Sequence, residues 1–164
     1  MIHAQYQGLA CFRREKSDKN MKAKDIIRYV KNLKDEWKTN DPYAIAEYLG
    51  IHVLSTPPIV KGFTAQTIKM DGYPTIISIN EAYTAFSQKV LCAHELGHAL
   101  LHGECVNHFA ITNKNVITNV EQEANLFAIA LLADANTLAT LDVPLESMNN
   151  YLLKTIMDYN LEMI

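Results

Sequence analysis

At 164 residues, with 49% hydrophobic and 20% charged side chains, the chain has the make-up of one compact folded domain with an ordinary core. A net charge of −3, with no like-charged run beyond a short basic stretch within residues 13–24, speaks against direct nucleic-acid binding. No segment approaches the ~18 consecutive apolar residues that span a bilayer, and the three cysteines (Cys11, Cys92 and Cys105) follow no secretory leader, which points to a reducing, cytoplasmic setting.

Residues 1–20 carry no helical or strand period and include Arg13-Arg14-Glu15-Lys16, so they read as a flexible extension, with Met21 a candidate start and residues 21–164 a single domain. Apolar residues at Ile26, Val30, Leu33 and Trp37, with charges between them, predict an amphipathic helix from Ala23 to about Lys38. Asp41 as cap, Pro42 at the first helical position and Gly50 past the end frame a second, short helix. A strand follows over Ile51 to Ser55, stopped by Pro57 and Pro58. Gly62 to Met70 and Tyr73 to Asn80 flank Asp71-Gly72, a hairpin turn pair. The expected fold class is α+β, a small antiparallel sheet packed on the helix that comes next, with a helical C-terminal part.

That helix, Leu91 to His102, contains His94-Glu95-Leu96-Gly97-His98. Residues four apart return to nearly the same helix face about 6 Å along the axis, so the two imidazoles can converge on one ion. Zinc is the ion this pairing most often takes. Glu95 lies about 100° further round the axis, where it flanks the ion and can take a proton from an attacking water. Random placement of six histidines in this composition would yield the motif in roughly 0.01 chains. Ser87 is the expected cap of this helix and Gly103 its terminator. His102 continues the four-residue series but drifts by about 40° per step, making it a poor third ligand and placing it at the helix end or the cleft rim.

A catalytic zinc needs a third protein ligand. Ala124, Phe127, Ala128, Leu131 and Leu132 recur at three and four residues and predict another helix, with Glu121 in its first turn and Asn125 one turn on, placed to orient a ligand carboxylate. Glu123, two positions along and on a different face, is the rival ligand. Thr118-x-x-Glu121 also fits a capping box, which needs no metal. Between the two helices, residues 104–118 read as a loop. Cys92, Cys105, His102 and His108 do not have the spacing of a structural zinc site. His108, Tyr73 and Tyr83 are candidates for stabilising an oxyanion. Asn136 to Leu141 suggests a short helix, and Leu145, Met148, Leu152, Ile156 and Tyr159 a final one.

The run His94-Glu95-Leu96-Gly97-His98-Ala99-Leu100-Leu101-His102, followed by Glu121-x-Glu123-Ala124-Asn125-x-Phe127-Ala128-x-x-Leu131-Leu132, resembles the ImmA/IrrE family of metallopeptidases. The resemblance implies a zincin-like domain with a gluzincin-like site: His94, His98 and Glu121 on Zn2+, and Glu95 as catalytic base. It also implies an endopeptidase whose protein substrate is a helix-turn-helix repressor of phage or mobile-element genes, the enzyme acting as an antirepressor. The alternative is a regulator that captures a repressor without cutting it. This chain departs from the family pattern after Leu132, where Ala133-Asp134 replaces the usual Met-Pro, so a different exit from the ligand helix is expected.

A strand running directly into the motif helix is further expected to offer its free edge to an extended substrate.

Overall fold

The structure is a computed structural model that describes residues 21–58, 61–102 and 114–164. Helix α1 spans Ala23–Trp37 and buries Ile26, Val30 and Leu33, three of the four positions its period assigns to the core. Lys38 closes it in the left-handed region at φ 52°. Helix α2, Pro42–Tyr48, starts as its composition requires: Asp41 accepts from the Tyr43 amide, and Pro42 fills the first position, where no amide hydrogen is needed.

Strands β1 (His52–Thr56), β2 (Ala65–Ile68) and β3 (Ile76–Asn80) form one sheet in the order β1-β3-β2. The hairpin around Asp71-Gly72 is present, with Gly72 at φ 78° and β2 antiparallel to β3. The sheet is mixed and not wholly antiparallel, because β1 lies parallel to β3 on its other side. β3 is therefore the middle strand. It runs into the motif helix, but both its edges are paired, so the free-edge expectation fails for that strand. Among the described residues β2 has a neighbour on one side only.

Helix α3, Ala85–Leu101, carries the motif. Its cap is Thr84, whose hydroxyl accepts from the Ser87 amide at 3.3 Å. Ser87, the expected cap, lies buried in the first turn, where it donates to the Asn160 carbonyl and accepts from the Glu162 amide, pinning the C-terminal segment to the start of α3. Helix α4, Lys114–Leu132, begins earlier than its sequence suggests. Thr118 lies inside it, which rules out the capping-box role. A short α5 (Ala135–Ala139), a single 3-10 turn at Leu145–Ser147 and α6 (Asn150–Tyr159) complete the described fold. At the exit from α4, Asp134 accepts from the Thr137 amide at 2.6 Å and caps α5, replacing the proline start of the family pattern with a side-chain cap. Residues 1–20, Gly103, Cys105, His108 and most of the expected loop lie outside the described residues.

The core is built around α4, which packs against α1, α3 and α6, while the sheet and α2 cover the rest of α3. Phe127, Leu131, Leu96, Ile77 and Leu153 are fully buried here. The α3–α4 approach is set by Gly97, where a Cβ would lie 3.1 Å from Phe127 Cβ and 3.2 Å from the Ala124 backbone. Gly97→Ala should therefore lower unfolding stability by about 1–3 kcal/mol, measured in urea, despite the better helix propensity of alanine. Two lysines reach across to the C-terminal carbonyls of the site helices. Lys34 of α1 donates to Ala130 and Ala133, and Lys69, just past β2, donates to Ala99 and His102. Each places a cation where the helix dipole favours one.

Candidate metal centre

His94 and His98 occupy adjacent turns of one face of α3, and Glu121 faces them from α4. The two Nε2 atoms are 3.1 Å apart. Glu121 Oε2 lies 3.4 Å from His94 Nε2 and Oε1 3.4 Å from His98 Nε2. A tetrahedral zinc with bonds of 2.0–2.1 Å separates its ligands by about 3.3 Å, so these three atoms are spaced as such an ion requires. Among the described residues this is the group whose ligand atoms come close enough to hold a metal. His98 is buried, while His94 and Glu121 are partly exposed, which leaves the group open on one side.

The charges respond to one another. Burial disfavours a charged His94, but the bond to Glu121 and the negative charges of Glu95 and Glu121 outweigh it and raise its pKa above the ordinary histidine value. At His98 burial prevails, aided by the neighbouring His94, and the pKa falls. Glu121 resists its own burial: the two imidazoles hold its carboxyl well below the usual carboxylate range. The cluster thus presents an ionised carboxylate beside two nitrogen donors.

Glu95 is buried on the neighbouring face of α3. The Thr67 hydroxyl, on β2, lies 2.8 Å from Glu95 Oε2 and 2.9 Å from the Glu95 carbonyl, so a side chain of the edge strand steadies the carboxylate. Nothing in the sequence around Thr67 marks this role. Glu123 points elsewhere, to His102 at 3.1 Å, and its other oxygen accepts from the Met21 amide at 2.8 Å. His102 is buried between Glu123 and His98, not at a rim. Asn125 donates its amide to Asn150 and ties α4 to α6.

Tyr73 is exposed on the hairpin turn, and Tyr83 sits before α3, about 20 Å along the helix from His98. Cys92 is fully buried; burial, then the charges of Asp41 and Glu95, push its thiol up to about 12. Almost none of it is thiolate at pH 8, so peptide-mapped alkylation should leave Cys92 unmodified in the folded protein and label it only under denaturant.

No helix among the described residues is long and apolar enough to cross a membrane. The chain is 33% identical over 106 residues to an uncharacterized immunity region protein of Bacillus phage phi105, an alignment covering 63% of this chain and 65% of that relative. No solved structure matches it. The family model described as the IrrE N-terminal-like domain matches residues 46–155, from α2 through the two site helices into α6, and the chain belongs to that peptidase family, Peptidase_M78.

Proposed function

We propose that this chain is a zinc-dependent endopeptidase that cuts a helix-turn-helix repressor. The observation that carries the reading is the spacing of His94, His98 and Glu121 at 3.1–3.4 Å with Glu95 buried alongside. These three side chains would hold Zn2+, which when bound polarises a carbonyl and makes water a nucleophile at neutral pH.

The rest is done by the chain itself. Glu95, steadied by Thr67, accepts the proton of the attacking water and passes it to the leaving amine nitrogen as the peptide bond breaks. The edge of β2 that has no neighbour among the described residues takes the substrate as an added strand, laying its scissile carbonyl along α3. Residues 21–164 act as one peptidase domain in the cytoplasm, with residues 1–20 as an extension. A repressor as substrate is supported by the family resemblance of the sequence and by the phage immunity region to which the relative's name refers.

The test is to sequence the neighbouring genes, incubate the purified protein and Zn2+ with any helix-turn-helix repressor found there, and read fragments by mass spectrometry. Two defined fragments, lost with a chelator and restored by zinc, are expected. An intact repressor held in a stable complex would overturn cleavage and favour capture.

A further inference from the structure

The ring of His98 has two nitrogens, and only the state with a lone pair on Nε2 can serve an ion shared with His94 and Glu121. What holds that state lies on the far side of the ring. His98 Nδ1 is 3.2 Å from His102 Nδ1, His102 Nε2 is 3.1 Å from Glu123 Oε2, and Glu123 Oε1 accepts from the Met21 amide at 2.8 Å. His98, His102 and Glu123 are all buried.

With both imidazoles neutral, the chain of contacts runs in one direction. A peptide N–H can only donate, so Met21 fixes one carboxylate oxygen as acceptor. The other Glu123 oxygen accepts from His102 Nε2–H, which leaves His102 Nδ1 with its lone pair. That lone pair can accept only if His98 carries its hydrogen on Nδ1, and His98 Nε2 is then bare and turned toward the cluster.

We propose that His102 and Glu123 are positioning residues that lock His98 in its metal-ready tautomer, anchored to the backbone just ahead of α1. The inference rests on the metal-site reading above and extends it to two residues outside the ligand set. It also accounts for a histidine at the third step of the series that is too far round the helix to reach the ion yet buried. Partners of this kind orient a ligand ring and typically contribute about 10–100-fold to metal affinity.

The experiment measures Zn2+ affinity by competition with a chromophoric chelator, alongside 15N–1H correlation of the histidine rings in the metal-free protein. His102→Ala should weaken binding by about 10–100-fold. His102→Asn, whose side-chain oxygen can stand where Nδ1 stood and accept from His98, should recover most of that loss. Glu123→Gln should fall between, because one of its two former acceptor positions becomes an NH2. In the wild type, His98 should carry its hydrogen on Nδ1. Wild-type affinity in His102→Ala, or a hydrogen found on His98 Nε2, overturns the proposal. If the wild type binds no divalent ion, the metal-site reading fails, and the ring spectrum still decides the tautomer lock. Should His102→Ala fail to fold, Glu123→Gln and the wild-type spectrum carry the test.

Discussion

Glu95→Gln should reduce peptide cleavage by about 10²–10⁴-fold while leaving zinc affinity within a few-fold of wild type. The substitution preserves volume and shape in a buried position. The glutamine oxygen can still accept from the Thr67 hydroxyl, so the local fold has no reason to change. What disappears is the basic carboxylate oxygen able to take a proton from water, since the oxygen that does not meet Thr67 becomes an NH2. The check is a repressor-cleavage time course at saturating zinc, paired with metal titration of the same preparation. Cleavage at the wild-type rate would show that another group serves as base.

The second large effect concerns the packing that holds the two halves of the site apart at the right distance. Phe127→Ala should cost about 3–5 kcal/mol, a large share of the 5–15 kcal/mol that separates a folded domain from its unfolded chain. Phe127 is fully buried, its ring centroid lies 6.5 Å from that of Tyr29 on α1, and its Cβ sits against the gap left by Gly97 on α3. Its loss leaves a cavity where α1, α3 and α4 meet. The melting temperature should fall by about 10 °C or more. Zinc affinity should fall as well, because α4 carries Glu121 and the void releases that helix from α3. A melt unchanged within 2 °C, roughly the width of a neutral surface change, would contradict this picture of the core.

How much of this could be read from the residues follows the distance over which each feature is decided. The pair His94 and His98 is settled within one helical turn, as is the start of α2 at Asp41-Pro42, and both lie where periodicity puts them. Glu121 and Glu123 could not be separated on spacing alone. Which face of α4 meets α3 depends on Gly97, Ala124 and Phe127 packing together, a contact between distant parts of the chain. The direction of β1 is likewise non-local: a two-proline stop says where the strand ends, not that it will lie parallel to β3. The drift that removes His102 from the ion was legible, but its destination was not, because Glu123 and Met21 are 21 and 102 residues apart from their respective partners. The caps at Thr84 and Ser87 show the smaller error. Both residues are hydroxyl-bearing, and tertiary bonds from Asn160 and Glu162 claim Ser87.

The tethering of β2 to α3 through Thr67 and Lys69 has a consequence for selectivity. Thr67 stands on β2 and Lys69 two positions on, just past its end, so a guest peptide that added to this strand would align against a ruler bolted to the helix that carries the histidine pair. A guest read in this way is sampled with a period of two: every second side chain is screened by the cleft floor while its neighbours stay in water. Preference among cleavage sequences should then show as an alternating pattern, not as a contiguous word.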